Sequence, residues 1–334
     1  MTARGRLVVF SAAERRHCEG LIASFLARHP AVELEFVAGI STALHERYLG
    51  GAVADLIWSS AMDQQMGLVL TGHAQPHGVA HGLPPRAAWR DLAVATTCEP
   101  LHTLSRDPDA PAGALAEVAA LAAANLPLFR ERVTLPDIEV NGLGFLAMLR
   151  ARLEEPEFDR SLATLSACRP RVAGSAPALV ASLAEGGALA MHLLGSYAER
   201  AVAADASLHI APSASPAPAV SRIAFIPRRA ENPGAGAAFL AHLLSPEGQV
   251  ALGEAGLFPI SAPLRRPVSP IPLDERFARL LDPDARRELL ARWRAAVGRQ
   301  ATNEGEETSD EASPAAGEPA RLRRPARAGP GTVG

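Results

Sequence analysis

Several short stretches place hydrogen-bond donors where an extended run gives way to a helical one. Near the start of the chain these are Ser11 and Ala12 in LVVFSAAE, Ser41 and Thr42 in VAGISTALHERYLG, and Ser59 and Ser60 in LIWSSAMDQQM. Further along they are Asn141 and Gly142 in IEVNGLGFLAM, and Ser196 and Tyr197 in LLGSYAERAV. A helix N-terminus leaves N–H groups without intrahelical partners and carries a partial positive charge. Hydroxyls add donors, and glycine lets backbone approach a ligand closely. Such a set suits a small anion of phosphate, phosphonate or carboxylate type. A Ser or Thr taken alone reads better as an ordinary helix cap, and Tyr197 reads equally well as a packed ring. The recurrence of the pattern along one sheet edge is what points to a shared site.

Other chemistries find less support. A serine hydrolase or transferase would use Ser11, Ser59 or Ser196, but no G-x-S-x-G elbow is present and no acid/base pair can be picked out. His73, His77 and His81 are spaced four apart in GHAQPHGVAHGLP, yet the Gly and Pro residues there break a helix, so the stretch reads as a His-rich surface loop, not a metal site. All 33 basic residues are Arg, which removes Schiff-base lysines and a P-loop lysine. Cys18, Cys98 and Cys168 show no metal-type spacing; a Cys98–Cys168 bridge is open but unfavoured. No cofactor and no metal are expected.

The elements that must position the donors alternate. RLVVFSA, AVELEFVAG and VADLIWSS read as strands, each followed by an amphipathic helical stretch, which implies a mainly parallel sheet covered by helices. The middle is less regular, with strands in DLAVATTCEPLHTLS, RVTLPD and GGALAMHLL and helices between them. A chain of 334 residues with 48% hydrophobic content supports two lobes of ordinary size. A net charge of −3 gives no reason to expect nucleic acid. Aromatic content of 4% argues against stacked aromatic platforms. No segment reaches the roughly 18 apolar residues of a membrane span.

The order LVVFSAAE, LIASFLARHPAVELEFVAGIST, ADLIWSSAMDQQMGLVLTGHAQP, PDIEVNGLGFLAM, LLGSYAERAV, SRIAFIPRRAENPGAGAAFLAHLLSPEGQ and GLFPIS resembles the periplasmic solute-binding proteins of ABC importers. The branch is the one that includes ferric-iron, phosphonate and phosphosugar binders. The resemblance implies an α/β, two-lobed type II periplasmic-binding-protein fold, each lobe a mainly parallel sheet flanked by helices. Lobe 1 would be 1–92 with 223–265, lobe 2 would be 95–220, and two crossing strands would join them near Ala93–Thr97 and Ala219–Arg222. Residues 266–299 would form a helical segment packed on a lobe, and 300–334 a disordered tail. The ligand-facing positions it implies are Ser11, Ala12, Ser41, Thr42, Ser59, Ser60, Asn141, Gly142, Ser196 and Tyr197.

The resemblance also implies a monomeric, non-enzymatic binding protein that closes on a small solute and delivers it to an inner-membrane permease. Ferric-iron members use adjacent tyrosines where this chain has Ser196-Tyr197, which argues against tyrosine-held iron. The segment CEPLHTLSRDPDAPAGALAEVAALAAANLP departs from the family pattern and loosens the second-lobe boundaries. Family members carry an export signal, whereas MTARGRLVVFSA runs directly into a strand. A periplasmic location is therefore expected from the resemblance, through an upstream start or a trimmed chain, with a ligand sensor on the same fold as the alternative.

Overall fold

The computed structural model describes residues 3–262 and 266–297. Its first elements are β1 (Arg4–Ser11), α1 (Glu19–Arg28), β2 (Ala31–Ala38), α2 (Ser41–Leu49), β3 (Leu56–Ser59), α3 (Met62–Leu70), β4 (Ala74–Gln75), β5 (Ala88–Trp89), β6 (Ala93–Ala95) and β7 (Glu99–Ser105). There follow α4 (Leu115–Ala124), α5 (Leu126–Phe129), β8 (Val133–Pro136), α6 (Gly142–Glu154), α7 (Phe158–Ala167), β9 (Arg171–Ala173), α8 (Ala176–Ala184), β10 (Leu189–Leu194), α9 (Gly195–Ala204) and β11 (His209–Ile210). The last are β12 (Ala217–Val220), β13 (Ile223–Pro227), α10 (Pro233–Leu244), α11 (Pro246–Glu254), β14 (Val268–Pro270), α12 (Phe277–Leu280) and α13 (Pro283–Ala296). The stretch expected to be a disordered tail lies outside the described residues.

Two sheets result. The first runs β2-β1-β3-β13-β6-β5, with β4 beside β13; the second runs β14-β12-β7-β10-β8-β9, with β11 beside β7. The parallel cores are β2-β1-β3 and β10-β8-β9. Strands β13 and β7 lie antiparallel to β3 and β10, so each sheet is mixed rather than mainly parallel. The reason is the path: β7 and β13 are entered directly from the other sheet and not through a covering helix.

β1 shows why the first sheet is covered on both faces. Leu7, Val8, Val9 and Phe10 are all buried, a continuous apolar run of the kind that parallel central strands need. Alternate side chains go to opposite faces. Leu7 and Val9 join Phe25 of α1 and Phe239 of α10. Val8 and Phe10 join Tyr48 of α2 and Met66 of α3. In the second sheet β10 divides likewise, with Leu189 and Met191 facing α6 and α7, and Ala190 and Leu193 facing α8 and α9. Its pairing with β7 shifts between Ala190 and Leu193, and His192 takes a φ of 57° in that bulge.

The chain passes between the sheets at 96–98, from β6 to β7, and again at 221–222, from β12 to β13. To these two passages a third is added. After α11, Phe258 and Pro259 lie beside the first passage, with Cys98 N–H donating to Phe258 O at 2.9 Å and Thr97 bridged to Pro259, before β14 joins the second sheet. Helix α13 packs on α6 and α7.

Candidate functional site

At the carboxyl edge of the first sheet the expected donors gather only in part. The hydroxyls of Ser41 and Ser59 are 3.0 Å apart, and Ser59 Oγ also accepts Ala61 N–H at 3.2 Å. Ser11 is fully buried, and its Oγ accepts Ala13 N–H at 3.0 Å while keeping a proton to donate. Ala12 N–H is already given to Trp58 O at 3.2 Å. The turn after Ser11 does not enter a helix directly; a 3-10 turn, Arg15–Cys18, precedes α1. Thr42 is exposed at the second position of α2, and Ser60 is half-buried ahead of α3. Both helices start without a side-chain cap, whereas α8, α10, α11 and α13 are each capped by a Ser, Asn or Asp. That difference leaves N–H groups available at this edge.

In the second sheet, Asn141 is a helix cap: its Oδ1 accepts Gly144 N–H at 2.9 Å. Gly142 is exposed at the first position of α6. Ser196 N–H, at the start of α9, is taken by Glu99 Oε1 at 2.9 Å. This helix N-terminus, which the sequence reading offered to a ligand anion, therefore already holds a carboxylate of the chain. Tyr197 is 37% exposed, with the Arg200 guanidinium 4.7 Å from its ring centre.

The residue at the meeting point of the two sheets is Arg222, absent from the sequence-derived set. It immediately precedes β13, whose Ile223 is in register with Ser59 on one side and Ala95 on the other. Because β13 runs antiparallel to β3 and β6, its start lies at their carboxyl ends. The Arg222 backbone is clamped there. Its N–H donates to Thr97 Oγ1 at 2.9 Å, and its carbonyl accepts Thr96 N–H at 2.9 Å and Thr96 Oγ1 at 3.1 Å. Thr96 Oγ1 in turn accepts the Trp58 indole N–H at 2.8 Å.

The guanidinium lies 5.8 Å from the Trp58 ring centre. Its Nε and Nη1 are buried and find no hydrogen-bond partner among the described residues. Burial pushes its pKa down, while Glu99, Cys18 and Tyr197 act in the opposite direction. Groups from both sheets thus surround one charge. Burial pushes the Cys18 thiol up to about 11, so it stays protonated and is no nucleophile. A buried cation without partners is costly, and a ligand anion would supply them.

Arg222 was legible only as a lone charge between the apolar runs APAV and IAFIP. Glu99 carried no signal, because its place depends on long-range pairing with Val220. The cavity of about 480 Å³ lies elsewhere, around His192 and Arg150; that of about 610 Å³ reaches the crossings, where Ala95, Cys98 and Ser221 line it, but Glu99 and Arg222 do not.

For a serine enzyme, Ser11 and Ser59 engage N–H groups and another hydroxyl rather than a histidine. A Ser–His pair does exist, Ser24 Oγ to His242 Nε2 at 2.9 Å, but His242 is buried where α1 meets α10. His73, His77 and His81 do not converge as a unit. His73 faces the Tyr48 ring at 5.7 Å, and His77 is buried with its Nδ1 3.2 Å from Asp91. The loop is therefore less superficial than its composition suggested. The three cysteines are free and buried.

Residues 7–258 match the bacterial extracellular solute-binding proteins, and the chain belongs to that family. The fold is that of type II periplasmic binding proteins. Among solved structures, the chain is similar to the substrate-binding protein of an ABC transporter from Agrobacterium tumefaciens, with 25% identity and a TM-score of 0.75, over 89% of this chain and 95% of the other. It is similar in fold to a Bordetella ferric binding protein (13% identity, TM-score 0.67, 87% of this chain and 99% of the other). The same holds for the periplasmic binding protein AfuA of Actinobacillus pleuropneumoniae with fructose-6-phosphate bound (16% identity, TM-score 0.64, 89% and 99%). No curated protein matches the sequence.

Proposed function

We propose that this chain is the substrate-binding component of an ABC importer, working in the periplasm, and that its solute is a small anion held between two lobes. The observation that carries the anion is the Arg222 guanidinium, charged and partly buried without partners where both sheets converge. The lobes would be 1–92 with 223–265, and 95–220, hinging at 96–98 and 221–222. Ser11, Ser41 and Ser59, with the uncapped starts of α2 and α3, would add neutral donors from the first lobe. Gly142 and Tyr197 would face them from the second. Membership of a binding-protein family supports capture and delivery to a permease rather than catalysis. Among the described residues no helix is long and apolar enough to cross a membrane.

Closure is favoured only as far as the solute binds the closed form better than the open one. The test is a thermal-shift and calorimetric screen of carboxylates, phosphonates and phosphorylated compounds. A ligand at about 100 times its dissociation constant adds roughly 2.7 kcal/mol of stability. The expected result is a rise with one anionic class that Arg222→Met abolishes. A rise confined to neutral sugars, or one that survives Arg222→Met, would overturn the reading.

A further inference from the structure

Arg222 shares its site with a carboxylate. Glu99 begins β7, is only 4% exposed, and is in register with Val220, two residues before Arg222. The two side chains feel each other's charge, yet they form no direct ion pair. Glu99 makes one hydrogen bond among the described residues, from Ser196 N–H to Oε1. An ionised carboxylate has further acceptor positions on both oxygens. The site thus presents a cation lacking acceptors and an anion with acceptor capacity to spare.

We infer that the solute is a zwitterion whose anionic group engages Arg222 and whose protonated amine lies against Glu99, an inference that rests on the reading of this cleft as the solute site. The charge arrangement carries it. An anion placed at Arg222 alone comes under the repulsion of Glu99, and the N-terminus of α9 cannot relieve this because Glu99 itself occupies it. Low-dielectric surroundings make that repulsion count. A ligand with an amine a few bonds from its anionic group turns the same carboxylate into a partner. It also leaves the site neutral overall, with each charge hydrogen-bonded. Glu99 then acts as the specificity residue, rejecting simple anions of the same shape.

The test uses matched pairs differing only in the amine: β-alanine against propionate, 4-aminobutyrate against butyrate, and 2-aminoethylphosphonate against ethylphosphonate. Binding is read by calorimetry on the wild-type chain and on Glu99→Gln, which keeps an oxygen for Ser196 N–H while removing the charge. The wild type is expected to prefer the amine-bearing member of a pair by about 10- to 100-fold, and Glu99→Gln to lose that preference. Arg222→Met should lose binding of both members. Equal binding of the two members to the wild type overturns the inference and leaves the anion reading standing. The wild-type comparison decides this even if Glu99→Gln does not fold. A preference that survives in folded Glu99→Gln also overturns it. If no member of any pair binds at millimolar concentration, both readings fall.

Discussion

Arg286 of α13 donates from Nη2 to Asp63 Oδ2 in α3 at 3.1 Å, and its guanidinium also lies 4.3 Å from the ring centre of Phe145 in α6. One side chain therefore links a helix on the first sheet to two helices packed against the second. Both partners keep some solvent access, at 31% and 16%, so the ion pair adds less than about 1 kcal/mol to global stability. Its effect is expected on shape instead. Asp63→Asn should leave the urea midpoint nearly unchanged while raising the radius of gyration of the ligand-free protein in small-angle scattering. Superimposable scattering curves would show that the contact restrains nothing.

Arg222→Met separates binding from stability. Replacing an unpartnered buried cation by an apolar side chain of similar length is often neutral or stabilising. The ligand-free melting temperature should hold or rise, although the contact with Trp58 is lost. A fall of more than about 1 kcal/mol in unfolding free energy would mean that the guanidinium is structurally satisfied after all.

Asp55 should be costly to remove. It is 2% exposed, and its two oxygens accept Val8 N–H at 2.8 Å and Asn232 N–H at 2.7 Å. The carboxylate thereby fastens β1 to the turn entering α10. Asp55→Ala strands two N–H groups and should cost about 3 kcal/mol in urea unfolding. A loss below 1 kcal/mol would mean that water replaces the carboxylate without penalty.

Two buried imidazoles set an acid limit. Burial pushes His102 and His192 down to about 4. Below pH ~6.5 the unfolded chain takes up protons that the folded chain refuses, so stability falls as pH drops from about 6.5 toward 4. Above that window the contribution is fully present. Each group contributes at most about 3 kcal/mol across it. His192→Asn should flatten the dependence of the urea midpoint between pH 7 and 4.5, and asparagine tolerates the φ of 57° there. An unchanged slope would place the acid sensitivity elsewhere.

The first sheet was legible in the sequence because its strands and helices follow one another locally. The apolar run Leu7–Phe10 announces a strand covered on both faces, and the stripe Leu21, Ile22 and Phe25 announces the buried face of α1. The hydroxyls at the ends of β1 and β3 were found for the same reason, since turn chemistry is a local signal. In the second sheet the purpose of such turn residues was less plain: Asn141 caps its helix, and Ser196 gives its N–H to Glu99. Arg222 and Glu99 escaped because their proximity depends on pairing across 121 residues, from Glu99 to Val220. Helix α7 went unmarked in the sequence, yet it carries Phe158 and Leu165 into the core. The spacing of Phe158, Ser161, Leu162 and Leu165 is that of one amphipathic helix face, so here a local signal was present in the sequence.

The third passage beside Thr97 alters the mechanics of the connection. Two separate threads would let one half of the molecule twist and slide against the other. With Phe258 and Pro259 laid against Thr97 and Cys98, the connection is closer to a ribbon, compliant across its thin direction and stiff to shear and torsion. If the halves move against one another as proposed, that movement is channelled toward a single bending coordinate. A protease that severs one passage would leave the halves tethered by the other two.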